Sequence, residues 1–154
     1  MFKSDKPPPP RPVRPTNSSV KRPATRSPTT TQAAYARHAS GSRAEQAAAN
    51  YFEHIGYSIL DRNLHVGRAE IDLLVQQDDV VVVVEVRTRG AGSYQRALDS
   101  ITSAKQKRLR AAGETLWRRR FLKDKRIATM RFDAVAVAFD AEGQPSIEHI
   151  RAAF

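Results

Sequence analysis

The stretch from Glu70 to Arg87 constrains the fold most, because it places carboxylates within an otherwise apolar pair of strands. Asp78-Asp79 separates two apolar runs, and we interpret it as a two-residue hairpin turn; a four-residue loop is the alternative, which would keep the same faces and shift the cross-strand contacts. In that register Asp72 lies opposite Glu85, and Glu70 lies opposite Arg87, all on one face of the hairpin. The other face forms an unbroken apolar surface for the core, with the pairs Ile71 and Val86, Leu73 and Val84, and Val75 and Val82.

Two carboxylates that face each other across a strand pair need a counter-charge. Directly opposed residues have Cβ atoms about 4.5–5.5 Å apart, and like charges at that spacing destabilise a sheet unless a cation or a shared proton intervenes. Oxygen ligands without a nearby cysteine favour Mg²⁺ or Mn²⁺ over Zn²⁺. We therefore predict that Asp72 and Glu85 are metal ligands. The alternative is a cross-strand ion pair of Glu70 with Arg87, with Asp72 and Glu85 facing water on an exposed sheet surface.

These strands, together with their flanking segments, resemble a known family. Ala69-Glu-Ile-Asp-Leu-Leu74 and Val84-Glu-Val-Arg-Thr-Arg89 resemble the paired motifs of the YraN-type family of small bacterial proteins. They resemble less closely the signature of the restriction-endonuclease-like nucleases, an Asp on one strand and Glu-x-Lys on the next. The similarity covers about residues 41 to 140. Further matching segments are Ala44-Glu45, Gly56-Tyr57, Leu60-Asp-Arg-Asn63, Lys105-Gln106, Arg108-Leu109 and Arg131-Phe-Asp133.

The resemblance implies a metal-dependent nuclease site. It makes Asp72 and Glu85 the ligands of one or two metal ions and puts Arg87 at the position of the signature lysine. Arginine can neutralise developing charge, but with a pKa above about 12 it cannot act as a base. Either the metal alone generates the nucleophile from a bound water, or the site binds nucleic acid without cutting it. The resemblance also implies that Glu45, on the first helix, is a third ligand or an orienting group.

The resemblance further assigns Lys105, Arg108 and Arg89 to contacts with the nucleic acid. Lys105 fits the family's lysine on a helix beside the sheet, from which it could reach the scissile strand. A merely solvated basic helix face is the alternative. Some nucleases that share this core dimerise, so a homodimer is an expectation by analogy.

The apolar periodicity predicts an α/β domain, and the resemblance specifies a restriction-endonuclease-like mixed β-sheet flanked by helices. A capping box at Ser42 to Glu45 predicts the start of a first helix that ends at Gly56, which offers a second explanation for Glu45. His54 and His65 lack ligand spacing and are expected at the surface. The other predicted elements are a strand at Tyr57–Leu64, the carboxylate hairpin, a loop at Gly90–Ser93, a helix at about Asp99–Arg120, a central strand at Arg131–Phe139 and a short edge strand at Ile147–Ile150. Asp133 is expected to organise the start of its strand by pairing with Arg131 or with a neighbouring backbone group.

Composition divides the chain into a tail and one domain. Eight of the nine prolines lie in residues 1–28, so we predict a disordered basic tail over residues 1–39 and a nuclease-like domain over 40–154. Residues 1–40 hold eight Lys or Arg against Asp5, which leaves the domain with only a small share of the net charge of +10. The tail could attract phosphates, serve solubility or present a polyproline ligand.

The sequence lacks cysteine, which excludes disulfides and thiolate chemistry. It also lacks the apolar run of a signal peptide or membrane span, so we expect a cytoplasmic protein without a membrane partner.

Three functions fit these observations. The first is a Mg²⁺- or Mn²⁺-dependent endonuclease that hydrolyses phosphodiester bonds in DNA, in branched or single-stranded form. The second is a non-catalytic nucleic-acid-binding or adaptor protein on a nuclease-like fold, which Arg87 favours and the Asp72/Glu85 pair disfavours. The third is a protein-interaction module delivered by its proline-rich arm.

Overall fold

The structure of the protein, a computed structural model, describes residues 30–89 and 101–154, with side chains from Gly41 onward. Residues 1–29 of the predicted tail and the predicted Gly90–Ser93 loop lie outside the described residues. The elements are α1 Thr30–His54, β1 Ser58–Val66, β2 Ala69–Gln77, β3 Val80–Arg89, α2 Ser103–Leu116 with a π-helical extension Trp117–Phe121, β4 Thr129–Phe139 and β5 Pro145–Ile150.

The five strands form one mixed sheet in the order β1-β2-β3-β4-β5. Neighbouring strands are antiparallel except β3 and β4, which run parallel and are connected through α2. A parallel neighbour requires such a crossover, since a tight turn can connect only antiparallel strands. The prediction of an α/β domain with a mixed sheet flanked by helices is confirmed, including the short fifth strand at one edge.

The carboxylate hairpin has the predicted register. Leu73 pairs with Val84 and Val75 with Val82, and the chain turns at Asp78, whose φ of 53° is left-handed. The ladder between β2 and β3 ends at Leu73 and Val84, so Glu70 does not pair with β3 and instead lies opposite His65 of β1.

Apolar side chains cover both faces of the sheet. On one face α1 packs through Ala44, Ala48 and Phe52 against a buried cluster that includes Leu73, Val75, Val82, Val84, Val135 and Val137. On the other face α2 packs through Leu109 and Leu116 against Leu74, Val81 and Val83. The face that carries Glu85 is therefore covered by α2 and is not an exposed sheet surface. Ile71, which the sequence assigned to the first face, instead belongs to the α2 cluster, where it lies opposite Leu64 of β1 and beyond the last residue pair between β2 and β3.

The first helix begins earlier than predicted. It starts at Thr30, so Ser42 and Glu45 lie in its interior and the predicted capping box is wrong. The segment before Ser42 contains four alanines among residues 33–39, and alanine has the highest helix propensity. The helix ends as predicted before Gly56, whose φ of 88° is readily adopted by glycine. His54 and His65 are exposed, as predicted.

The second helix begins at Ser103 rather than near Asp99. Its N-cap is Thr102, whose side chain accepts a hydrogen bond from the backbone N–H of Lys105 at 3.3 Å. Within the described ranges, neither helix is long and apolar enough to cross a membrane.

Candidate active site

The carboxylate pair lies where the β2–β3 ladder ends. Beyond Leu73 the strands separate, and Oδ2 of Asp72 accepts a hydrogen bond from the backbone N–H of Val86 at 2.7 Å. This bond holds the Asp72 carboxylate against β3 next to Glu85. The Glu85 side chain has no solvent-exposed surface, so the alternative of two carboxylates facing water is wrong. The helix α2 packs over this face of the sheet, and its Lys105 contacts Glu85.

Two cations contact the same oxygen of Glu85. Lys105, on the first turn of α2, donates a hydrogen bond from Nζ to Oε1, and Nε of Arg87 lies 3.2 Å from that oxygen without hydrogen-bond geometry. The second oxygen of Glu85, Oε2, is buried and has no hydrogen-bond partner among the described residues. A buried ionised carboxylate oxygen without a partner costs about 1–3 kcal/mol, and either a proton shared with Asp72 or an additional ligand would offset that cost.

Burial and mutual repulsion shape the titration of the pair. Burial, reinforced by the charge of Asp72, raises the pKa of Glu85 to about 7, although Lys105 and Arg87 act in the opposite direction. Burial also raises the pKa of Asp72, against the hydrogen bond from Val86, the charges of Lys105 and Arg87, and a side-chain hydrogen bond with Glu85. Near neutral pH the metal-free pair therefore readily holds a proton, and a divalent cation would displace that proton.

A small cavity of about 140 Å³ lies in front of Asp72. Lys105 and Arg108 of α2 form one of its walls, and Arg68 and Glu70 of the β1–β2 hairpin form another. The structure thus brings Asp72, Glu85, Arg87, Lys105 and Arg108 to one region, as the sequence predicted for these residues. It adds Arg68, a turn residue that carried no sequence signal beyond its charge.

Two predicted site residues lie elsewhere. Glu45 is on α1, which packs on the opposite face of the sheet, and no group of three or more His, Cys, Asp or Glu side chains in the described part of the chain could hold a metal ion. Glu45 therefore does not join the pair as a third ligand. Arg89 forms an ion pair with Glu148 of β5 at 2.7 Å, which holds its side chain toward the sheet edge.

A second polar cluster on the α1 face was only partly expected. Asp133 is fully buried and accepts hydrogen bonds from Nε and Nη2 of Arg131 at 2.7 and 2.8 Å and from the backbone N–H of Ala152 at 3.0 Å. This arrangement confirms the predicted pairing of Asp133. His149 Nε2 also contacts Asp133 at 2.8 Å, and its Nδ1 lies 3.3 Å from the hydroxyl of Tyr51. No pattern in the sequence marked His149, which β5 brings to Asp133.

The fold and the site define the class of this protein: a small α/β domain whose mixed sheet carries a buried Glu and a half-buried Asp beside a lysine and an arginine. The model of the family described as "Uncharacterised protein family UPF0102" matches residues 44–137. The chain belongs to this family. It is 49% identical to a UPF0102 protein of Sorangium cellulosum over 122 residues, which cover 79% of this chain and 85% of the relative. It is 43% identical to a UPF0102 protein of Pelotomaculum thermopropionicum, over 77% of this chain and 98% of the relative.

Proposed function

We propose that the protein is a metal-dependent endonuclease that hydrolyses phosphodiester bonds in DNA, acting on branched or single-stranded forms. The observation that carries this proposal is the state of Glu85. One of its oxygens is held by Lys105, and the other is buried without a partner beside Asp72. Asp72 lines the small cavity together with Arg68, Lys105 and Arg108, and Glu85 lies buried directly behind it. A carboxylate pair beside such cations suits a metal ion bound to a phosphate.

The residues present fit Mg²⁺ or Mn²⁺. Magnesium is commonly held by one or two carboxylates while it keeps several waters, so Asp72 and Glu85 suffice without a third acidic group. When bound, such an ion supplies a water of lowered pKa and offsets the charge of the phosphate. The hydrogen bond from Val86 fixes one oxygen of Asp72, and the bond from Lys105 fixes one oxygen of Glu85, so the remaining oxygens are oriented in advance.

Lys105 supports catalysis despite the arginine in the signature position. Arg87 and Lys105 approach the same oxygen of Glu85, so a lysine ammonium is present at the pair although it comes from α2 rather than from β3. Lysine provides a compact charge with three donors, and it can release a proton where arginine cannot. We assign Lys105 to the positioning of the attacking water or of the scissile phosphate, and Arg87 to the stabilisation of negative charge that develops in the transition state.

One observation favours a non-catalytic nucleic-acid-binding or adaptor protein as the second candidate. Lys105 and Arg87 together already offset the charge of Glu85 without a metal ion. A site that is satisfied in this way could bind a phosphate backbone through its surrounding cations and never cut it.

The test is cleavage of labelled branched, single-stranded and duplex DNA with Mg²⁺ or Mn²⁺, with RNA of the same sequence in parallel. The double variant Asp72→Asn, Glu85→Gln is compared with the wild type. The matched control is Asp78→Asn, Asp79→Asn, which removes the same charge from the exposed hairpin turn.

We expect metal-dependent cutting by the wild type and by the turn control but not by the site variant. Equal cutting by all three proteins would reveal a contaminating nuclease. Binding without cutting under either metal would refute the nuclease and support the second candidate.

A further inference from the structure

We infer that the DNA strand continues from the carboxylate pair along a second, purely basic groove between α2 and the β1–β2 turn, where its phosphates contact Arg68, Arg108 and Arg119. We call it the arginine groove. This inference rests on the proposed function, since it extends the same site to a longer substrate. The cavity measures about 430 Å³ and shares Arg68 and Arg108 with the smaller cavity in front of Asp72, so the two are adjacent.

The shape of the groove follows from the spacing of residues along α2. Lys105, Arg108, Ala112 and Thr115 are separated by alternate steps of three and four, which places them on one face of α2. Arg119 follows in the π-helical extension and lines the same groove. The members near the middle of this row are small, and they leave space between the long basic side chains. The opposite wall is the turn at Gly67 and Arg68, where the backbone of Gly67 has a φ of 62° and no neighbouring atom would meet an added Cβ.

The charge of the groove is unusual for this protein. Its lining contains three arginines and no acidic residue. Within residues 41–89 and 101–154, these three arginines have no carboxylate partner, whereas five other arginines do, as in the pairs Arg126 with Asp124 and Arg131 with Asp133. Guanidinium groups bind phosphate oxygens in a bidentate manner, so three unpaired ones that border a single groove suit a ligand with several phosphates.

The length of the groove selects a strand over a single nucleotide. From Arg108 to the end of α2 at Leu116 the helical rise is about 12 Å at roughly 1.5 Å per residue, and Arg119 lies beyond that end in the π-helical extension. One strand of a duplex has a phosphate for about every 3.4 Å of the duplex axis, so a groove of this length spans more than one phosphate. The basic N-terminal segment of the protein cannot be the occupant, because residues 1–40 carry eight Lys or Arg and only Asp5 as a countercharge.

The test measures the salt dependence of DNA binding. A triple variant with Arg68→Gln, Arg108→Gln and Arg119→Gln is made in the Asp72→Asn, Glu85→Gln background, so that no substrate is cut. Binding of a fluorescent single-stranded oligonucleotide is followed by anisotropy between about 50 and 200 mM KCl. Each lost phosphate contact reduces the slope of log K against log salt by about 0.7, so we expect a total reduction of about 2.

The matched control removes three charges away from the groove. It carries Lys107→Gln, Arg110→Gln and Lys123→Gln, all exposed and none of them lining the cavity. We expect its slope to change by less than half as much as that of the arginine variant. Equal changes in the two variants, or an unchanged slope in the arginine variant, would overturn the inference. If the triple variant does not fold, as judged by circular dichroism, the three single variants replace it, each with an expected change of about 0.7.

The outcome separates this inference from the proposed nuclease. If the wild type cuts DNA but the groove variant binds with an unchanged slope, the groove inference fails and the nuclease stands. If the wild type cuts no substrate while the slope difference appears, the nuclease fails and the groove stands as a DNA-binding site. A poly-glutamate peptide serves as a competitor. Binding of this peptide, but not of DNA, through the three arginines would assign the groove to an acidic protein segment and overturn the inference.

Discussion

The buried carboxylate of Glu85 should make the metal-free protein less stable at alkaline pH, and Glu85→Gln should relieve that cost. Burial next to Asp72 raises the pKa of Glu85 from 4.5 to about 7. The native state therefore binds more protons than the unfolded state between these values. In that range the free energy of unfolding decreases as the pH rises.

The magnitude follows from the two pKa values. Each pH unit between them is worth about 1.4 kcal/mol, so the ionised Glu85 costs the folded protein about 3 kcal/mol at pH 8. At pH 5 the cost is under about 1 kcal/mol, because the carboxyl is largely protonated in the native state. Glutamine has the same shape and no charge. We expect Glu85→Gln to raise the free energy of unfolding by about 2–3 kcal/mol more at pH 8 than at pH 5.

The assay is urea unfolding in the presence of EDTA, followed by circular dichroism at pH 5 and pH 8. The control is Glu114→Gln, which replaces an exposed glutamate on α2 and should have nearly the same small effect at both pH values. If Glu85→Gln destabilised the protein at pH 8 by more than at pH 5, the ionised carboxylate would be a net stabilising partner of Lys105 and Arg87. The argument from burial would then be refuted.

Three further predictions concern stability and catalysis. Burial alone would raise the pKa of Asp133, but hydrogen bonds from His149 and Arg131 outweigh it and lower the pKa to about 2. The ionised Asp133 carboxylate should therefore contribute about 2 kcal/mol to the free energy of unfolding above pH 4, and this contribution should be lost as the pH falls towards 2. In an acid titration, the stability of Asp133→Asn should not show this loss. Mg²⁺ or Mn²⁺ at about 100 times its Kd should raise the free energy of unfolding by about 2.7 kcal/mol, as measured by calorimetry. The increase should be smaller at pH 6 than at pH 8, because protons compete with the metal ion for the carboxylates. The Asp72→Asn, Glu85→Gln variant should show no increase. In single-turnover cleavage, Lys105→Met should lower kcat by about 10²- to 10³-fold, while Lys107→Met, at an exposed position on the same helix, should leave kcat unchanged. Equal rates for the two variants would show that Lys105 has no role in the mechanism.

The sequence by itself determined the hairpin and its carboxylates. Side chains alternate with a period of two along a strand, so a slip of one residue would have moved Leu73 and Val75 out of the apolar cluster. That constraint, together with the turn at Asp78, was enough to predict the register and the proximity of Asp72 and Glu85. The residue types alone also indicated a hard divalent metal ion, which stays a prediction.

Local signals were less reliable where two of them competed. The motif from Ser42 to Glu45 has the form of a capping box, yet α1 continues through it from Thr30. A capping motif marks the start of a helix only if the preceding residues do not favour helix, and here they are rich in alanine. Since α1 lies on the face of the sheet opposite α2, the interpretation of Glu45 as a third ligand depended on packing that no local pattern records.

Only the tertiary structure decided the electrostatic state of the site. Lys105 follows Glu85 by twenty residues, and the two meet because the crossover from β3 to β4 lays α2 over the carboxylate face. The same packing buries Glu85, raises its pKa and aligns Arg108 and Arg119 with the turn at Arg68. Burial and charge pairing depend on which surfaces meet in space, and a sequence pattern specifies only which face of each element is apolar.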